Sequence, residues 1–204
     1  GYISGMIETA ETLAREYGIP REAADAFAAE SHRRAAAAWD EGRFEAEVVP
    51  VPVPQRRGEP LTFARDEGIR PDTTPESLAK LRVLMKDGSV TAGNAAQQND
   101  AAAACLVVAE DKLAELGLTP IAFLTGWSAV GCDPARMGIG PVPAVQKVLA
   151  KTRLTLAEMG LVEINEAFAA QVLAVLKGLD WDDRARLNVN GSGISLGHPI
   201  GATG

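Results

Sequence analysis

Apolar residues near the start of the chain recur at three- and four-residue intervals, which is the spacing of one helix face. This pattern predicts a helix over Met6–Tyr17, stopped by Gly18, with a buried face of Ile7, Ala10, Leu13 and Ala14. Pro20 fits the first turn of a second helix, which we expect to continue to about Glu41.

The outer face of the second predicted helix is charged, with Glu22, Asp25, Glu30, Arg33 and Arg34. His32 lies in this run. We therefore predict that His32 is a solvated surface residue.

The pattern changes after the helices. Residues Val48–Val53 alternate apolar side chains with prolines, as in an edge strand or an extended arm. The segment 55–74 is polar and long for a featureless loop, which suggests a lid or a binding segment. Asp66 and Glu67 beside Arg70 could be a catalytic pair, but an ion-pair cluster that fixes the loop is the favoured interpretation.

The middle of the chain alternates predicted strands with helices, as in an α/β fold. A short helix is expected from Thr74 to Leu81, and another over Asp111–Leu116. The small residues of Ala101–Ala109 favour a buried strand, with a helix as the alternative, so Cys105 would be a packing residue. Ile121–Trp127 is the next predicted strand.

The last third continues this alternation. Pro143 is expected to start a helix. Short strands are predicted at Leu161–Ile164 and around Leu187–Val189. Between them, Asn165 is a plausible N-cap of a helix whose buried stripe is Phe168, Val172, Leu176 and Leu179. An Asn at such a corner could also hold a water or substrate, because its amide both donates and accepts hydrogen bonds.

The final stretch, Asn188 to Gly204, concentrates the candidate chemistry. Five glycines surround His198 there, one of only two histidines in the chain. Imidazole is suited to proton transfer near neutral pH, and Pro199 restricts the backbone of His198 to extended conformations. A glycine-rich loop with an incidental histidine is the alternative.

Composition narrows the possible partners. The net charge of −7 argues against nucleic acid, and no apolar run is long enough to span a bilayer. Two cysteines, Cys105 and Cys132, do not make a disulfide framework, so a reduced, cytoplasmic setting is expected. Because the chain starts at Gly1 and stops at Gly204 within a loop, we expect both ends to be cut.

Four motifs then occur in one order, and together they resemble the thiolases, the acyl-CoA C-acyltransferases. The motifs are Thr9-Ala-Glu11, Thr91-Ala-Gly-Asn94 with Asn99-Asp100, Asn165-Glu-Ala-Phe-Ala169 and Gly197-His-Pro-Ile-Gly201. Met137-Gly-Ile-Gly-Pro-Val-Pro143 also matches the family, and the resemblance covers essentially the whole chain.

The resemblance implies acyl transfer between CoA thioesters through a cysteine acyl-enzyme, by Claisen condensation or by thiolysis, without a metal or other cofactor. His198 would take the proton from that cysteine, and would share an oxyanion hole with a water held by Asn165. The substrate-binding positions implied are Met6, Ala96, Phe168 and Gly197. The expected partners are CoA, acyl-CoA and further copies of the chain in a homodimer or homotetramer, and the expected setting is lipid metabolism.

The implied fold is α/β, the layered αβαβα thiolase fold, present only in part. Residues 1–97 would be the loop domain that covers the site, binds CoA and contacts other subunits. Residues 98–120 would end the N-terminal half, and residues 121–204 would form most of the C-terminal half.

Several positions depart from the family pattern. Ala96 replaces a serine that typically touches CoA, Ala101 a glycine, Val83 a proline, and Gly5 falls where a histidine is common. Cys105 and Cys132 do not lie at the positions of the two catalytic cysteines.

These departures predict that the chain alone is inactive. They also leave two other hypotheses open. One is a non-catalytic acyl-CoA-binding or lipid-carrier relative. The other is a structural role, in which the piece contributes only an oligomer surface.

Overall fold

The computed structural model describes residues 5–203, so the expectations about Gly1 and Gly204 lie outside the described residues. Helices dominate the described chain. They are α1 (Met6–Glu16), α2 (Arg21–Asp40), α3 (Pro75–Ala79), α4 (Leu113–Leu116), α5 (Pro141–Thr152), α6 (Ala169–Gly178) and α7 (Gly193–Leu196). Three 3₁₀ helices occur at Glu110–Lys112, Pro134–Ile139 and Leu156–Glu158. Within residues 5–203, each helix is too short or too polar to cross a bilayer.

The core forms around α6, where every residue from Ala169 to Leu176 is buried. A helix that is apolar on all sides must be enclosed by its neighbours. Helices α1 and α2 and the 3₁₀ helix Pro134–Ile139 provide this enclosure. Ala14 and Ile19 pack with Val172 and Leu176 in one cluster, so distant parts of the chain share one core.

The predicted helices form almost where the apolar spacing puts them. Helix α1 ends one residue before its predicted end, and Pro20 is the N-cap of α2 instead of a first-turn residue. Pro141 begins α5, two residues ahead of the predicted Pro143.

The only regular sheet among the described residues is a small antiparallel pair of strands, β1 (Val51–Val53) and β2 (Leu61–Phe63). Val51 pairs with Phe63, and Val53 pairs with Leu61. The expected edge strand therefore exists at 51–53. The loop 55–74 contains its partner strand, which the polar sequence did not predict.

The buried strand predicted at Ala101–Ala109 and the strand predicted at Ile121–Trp127 do not form, and both predictions are wrong. Both segments are mostly exposed, and Cys105 is exposed instead of packed in a core. The physical reason is that strand structure needs a paired neighbour for its backbone groups, and within residues 5–203 neither segment has one.

The strands expected at Leu161–Ile164 and Leu187–Val189 are reduced to one parallel bridge between Val162 and Leu187. The side chain of Asn188 extends this contact. Its Oδ1 accepts from Ile164 N–H and its Nδ2 donates to Ile164 C=O, each at 2.8 Å. A buried amide therefore replaces part of the strand ladder.

His32 is buried, so the prediction of a solvated histidine is wrong. The loop at residues 66–72 covers it, and Arg70 N–H donates to His32 Nδ1 at 3.2 Å. The favoured ion-pair cluster is also wrong. Asp66 accepts from Trp39 Nε1, and no ion pair of Arg70 occurs in the described chain.

Candidate functional site

The backbone around His198 is held in a conformation that depends on glycine. Helix α7 ends at Leu196, and Gly197 follows with φ +102°. The His198 N–H then donates to Asn99 Oδ1 at 3.1 Å. The imidazole is partly buried, and its Nδ1 is buried without a hydrogen-bond partner among residues 5–203. Imidazole side chains can take up or release a proton, and this ring nitrogen has no competing hydrogen bond within residues 5–203.

Two other glycines of the loop allow close approach to the neighbouring segments. A Cβ at Gly193 would lie 2.8 Å from Asn165 Oδ1, and one at Gly191 would lie 2.8 Å from Ala35 Cβ. The glycine-rich sequence is therefore required by packing, and it brings α7 against both Asn165 and α2.

Asn165 does not cap a helix, and that prediction is wrong. Helix α6 begins later, at Ala169, with Phe168 in the N-cap position. The corner 165–168 stays extended because Ala95 pairs with Phe168, and Ala96 N–H donates to Ala167 C=O at 2.9 Å. Asn165 is partly buried, and its Oδ1 faces Gly193 at the start of α7.

These contacts bring together five of the six predicted site residues. Ala96 and Phe168 meet across the corner, and Asn165 lies against Gly193 of α7. Gly197 and His198 follow α7 directly. Met6 is not brought to the group by any described hydrogen bond. It is the first residue of α1 and is half exposed.

Glu166 is a buried carboxyl group next to Asn165, and the sequence analysis did not identify it as part of the site. Glu166 Oε2 accepts from Ser31 Oγ at 2.5 Å, and Oε1 accepts from Asn188 Nδ2 at 2.9 Å. Ile194 N–H of α7 also points to this carboxylate. Burial raises the pKa of Glu166, and the hydrogen bonds from Ser31 and Asn188 oppose that rise. The sequence signal that could have identified Glu166 was its position between Asn165 and Ala167, within a motif that the sequence analysis had already singled out.

Two further motifs have structural roles. Glu11 accepts from the N–H groups of Ser89 and Val90, both at 2.8 Å, and so fixes the turn before Thr91. Asn94 is buried, and its C=O accepts from Ala169 N–H at the start of α6 at 2.9 Å. Glu11 and Asn94, from the first two motifs, thus hold in place the segment 89–96, which passes beside the site.

The arrangement offers an imidazole for proton transfer and an amide for a water or a polar substrate atom. Within residues 5–203, no cluster of three or more His, Cys, Asp and Glu side chains could bind a metal. The imidazole of His198 and the amide of Asn165 are side chains suited to acid–base chemistry assisted by hydrogen bonding.

The chain matches known protein families along nearly its whole length. The thiolase N-terminal domain matches residues 3–111, and the thiolase C-terminal domain matches residues 118–204. Acetyl-CoA acetyltransferase of Chromobacterium violaceum is 53% identical over 197 residues, which are 96% of this chain and 50% of that protein. The enzyme of the same name from Pseudomonas aeruginosa is 54% identical over the same shares. The chain spans about half the length of the curated relatives it matches.

Solved structures show the same relationship. The chain superposes on Bacillus anthracis acetyl-CoA acetyltransferase with a TM-score of 0.93 and 50% identity, over 97% of this chain and 50% of that one. Human mitochondrial 3-ketoacyl-CoA thiolase in complex with CoA gives a TM-score of 0.87 and 45% identity, over 98% and 49%.

These matches confirm the resemblance and the α/β fold class, in which the chain corresponds to part of a thiolase-like layered fold. The division at residues 97 and 120 stays a prediction. With both thiolase domains matched across nearly all of its length, the chain belongs to the thiolase family.

Proposed function

We propose that this chain carries the base and the water-holding amide of an acyl-CoA C-acyltransferase. The observation that carries the proposal is that the short helix α7 links the positions of Asn165 and His198. Asn165 lies against Gly193, and His198 follows the helix that Gly193 begins. This placement occurs in a chain of the thiolase family.

In the proposed reaction, the imidazole of His198 removes the proton from a cysteine thiol. The thiolate attacks the thioester carbonyl carbon of an acyl-CoA, the C–S bond to CoA breaks, and the CoA sulfur takes up a proton. In condensation, the α carbon of a second acyl-CoA loses a proton to a base and attacks the acyl-cysteine carbonyl, and the C–S bond to the cysteine breaks to release the cysteine thiolate. Thiolysis is the reverse: the cysteine thiolate attacks the 3-keto carbonyl of a 3-ketoacyl-CoA, the Cα–Cβ bond breaks, and the α carbon takes up a proton and leaves as a shorter acyl-CoA. The thiolate of free CoA then attacks the acyl-cysteine, whose C–S bond breaks. We expect that cysteine to be neither Cys105 nor Cys132, because neither lies at the family's nucleophile position.

Asn165 would stabilise the negative charge that develops on the thioester oxygen. Its side-chain amide lies at the start of α7 and both donates and accepts hydrogen bonds, so it can hold a water that donates to the thioester oxygen together with His198. Donors fixed in advance stabilise such an oxyanion strongly, because they need no reorganisation during the reaction.

Coenzyme A thioesters are the proposed substrates. A human relative is described in complex with CoA, and two other relatives are named acetyl-CoA acetyltransferases. Phe168 and Ala96 meet beside the site and would contact the acyl or pantetheine portion. Ala96 offers no hydroxyl group there, so we expect weaker hydrogen bonding to CoA at this point.

The setting and assembly are also proposals. Both cysteines are free thiols, which supports a reduced, cytoplasmic location. The exposed β1–β2 pair could contact another copy of the chain in a homodimer or homotetramer. A role in lipid metabolism is proposed from the thiolase resemblance alone.

The first test is the intact mass of the natural gene product, with peptide mapping beyond both ends of this sequence. We expect a mass near twice 21.4 kDa and a cysteine peptide that is acetylated by acetyl-CoA. The 204-residue chain alone should show no acyl transfer. Acyl transfer by that chain, lost on His198→Ala, would contradict the placement of the nucleophile outside it.

A non-catalytic acyl-CoA-binding protein is the second candidate, and Ala96 and the positions of the two cysteines favour it. A natural gene product of 21.4 kDa that binds acyl-CoA without turnover would support this candidate. Thiolysis of a 3-ketoacyl-CoA by the natural product would eliminate it.

A further inference from the structure

We propose that Asn99 is the positioning residue of His198, a role that rests on the proposed function of His198 as the base. The structure joins the two residues through the backbone. Asn99 Oδ1 accepts the His198 N–H at 3.1 Å, across 99 positions of sequence. The bond goes to the backbone of His198 and not to its ring, so Asn99 would act by fixing the peptide that orients the imidazole.

The contact requires the glycine that precedes the histidine. A Cβ on Gly197 would lie 2.5 Å from Asn99 Oδ1, which is closer than real Cβ contacts allow. Gly197 also has φ +102°, a conformation that side chains disfavour. Glycine at 197 therefore serves the approach of Asn99 as well as the turn itself.

The segment that carries Asn99 is fixed on both sides of the site. Gln97 Nε2 donates to Ile194 C=O of α7 at 3.1 Å, and to Gly68 C=O of the covering loop at 2.9 Å. Ala95 pairs with Phe168 at the Asn165 corner. One short strip of chain thus contacts the corner, α7 and the histidine peptide in succession.

This geometry gives Asn99 a specific consequence for catalysis. Pro199 restricts the backbone of His198 to extended conformations, and the hydrogen bond that the His198 N–H donates to Asn99 fixes the preceding peptide. Without that bond, the peptide between residues 197 and 198 can rotate, and this rotation displaces the imidazole ring. Displacements of about 1 Å at a reacting group can cost roughly a hundredfold in rate.

The first experiment measures hydrogen exchange of the His198 amide in the natural gene product, by mass spectrometry with fragmentation to single residues. Asn99→Ala should speed this exchange about fivefold to tenfold, as expected for the loss of one hydrogen bond. Asn99→Asp retains an acceptor and should stay within about twofold of the parent. Gln98→Ala, the exposed neighbour, is the matched control and should not change it. Unchanged exchange in Asn99→Ala overturns the proposal.

The second experiment separates positioning from general stability by steady-state acyl transfer. Asn99→Ala should lower kcat about tenfold to a hundredfold and leave the KM for acyl-CoA within about twofold. Asn99→Asp should recover most of kcat, and Gln98→Ala should retain it. Equal losses in Asn99→Ala and Gln98→Ala, or no loss in either, would contradict the role.

The two experiments also distinguish the two proposals. A parent protein with no acyl transfer would overturn the proposed function, whereas the exchange measurement would still report the Asn99–His198 contact. Full acyl transfer in Asn99→Ala, with faster exchange at His198, would retain the function and remove only the positioning role.

Discussion

Asn94 Nδ2 donates to Asp25 Oδ1 at 2.8 Å, which joins the segment beside the site to the middle of α2. The other carboxylate oxygen of Asp25 pairs with Arg21 Nε at 2.6 Å, and the Asp25 side chain is 2% exposed. Arg21 in turn donates to Leu78 C=O of α3 at 2.7 Å. A buried carboxylate therefore connects α2, α3 and the strip that holds the candidate site.

Replacing Asp25 should strongly destabilise the fold. Asp25→Ala leaves the Arg21 guanidinium and the Asn94 amide without their acceptor, so we expect a loss of about 3 kcal/mol in the free energy of unfolding. Urea denaturation would measure it. Glu22→Ala, at an exposed position on the same helix, should change that free energy by less than about 0.5 kcal/mol. Similar small losses in both variants would refute the importance of this link.

His32 should make the protein less stable in mild acid. Burial, with a smaller contribution from the charge of Arg70, lowers the pKa of His32 from 6.5 to about 4. The unfolded chain therefore binds a proton at higher pH than the folded chain does. The resulting stability is fully present above pH 6.5 and is lost as the pH falls towards 4. We expect this loss to be about 2 kcal/mol after partial solvent screening.

A His32→Asn variant tests this, because Asn retains an uncharged acceptor for Arg70 N–H. The free energy of unfolding should depend less on pH between 6.5 and 4 in this variant than in the parent. Ala26→Asn, at an exposed position of α2, should leave the dependence intact. The prediction fails if both variants keep the slope of the parent.

Glu166 should contribute a pH dependence of the opposite sign. Its pKa is raised from 4.5 by burial, so the folded chain retains a proton that the unfolded chain has already released. Stability from this group is present below pH 4.5 and declines as the pH rises through the raised pKa. Glu166→Gln, which resembles the protonated acid, should lack this decline. Parallel stability curves for parent and variant above pH 4.5 would show that the carboxyl group is not perturbed.

Gly191 should not tolerate a side chain. It has φ +78°, and an added Cβ would lie 2.6 Å from Ser195 Oγ and 3.0 Å from Ser31 C=O. Backbone strain and overpacking together predict that Gly191→Ala costs about 3 kcal/mol, measured by thermal or urea unfolding. Gly201→Ala is the control, since an added Cβ there meets nothing within 4 Å. A neutral Gly191→Ala variant would contradict the described packing of α7 on α2.

The unpaired segment at Ile121–Trp127 should make the 204-residue chain associate with itself. Ile121 and Leu124 are at least 80% exposed, and adjacent apolar surface of this kind binds other apolar surface. We expect sedimentation to show growing size with concentration, and expect Ile121→Ser with Leu124→Ser to reduce it. Leu116→Ser, at an exposed position of α4 outside both this segment and the β1–β2 pair, serves as the control. A monomer at all concentrations would also count against a purely structural role.

Local patterns predicted the helices well, and contacts between distant residues limited the remaining predictions. The spacing of Ala10, Leu13 and Ala14 locates α1 because a helix forms its hydrogen bonds within one segment. The strand expected at Ala101–Ala109 depends on a neighbour elsewhere, which periodicity does not reveal. The same limit explains His32, because the loop that buries it lies 38 positions further along.

Motifs named the residues of the candidate site, but they did not name the residues that hold those residues in place. His198 and Asn165 were identified from motifs, and the structure brings their segments together at α7. The roles of Asn99 and Glu166 required coordinates, because each acts through a bond to a distant backbone or hydroxyl group. A charged residue such as Glu166 is ordinarily expected at the surface.

The shared core limits how this protein can be recombined with its relatives. Ala14 and Ile19 come from the region matched by one family domain, and Val172 and Leu176 come from the region matched by the other. A chimera joined at the short connection between residues 111 and 118 would therefore build one core from side chains of two different parent proteins. Such exchanges should succeed only between parents whose side-chain volumes match across α1 and α6, however well their active-site motifs agree.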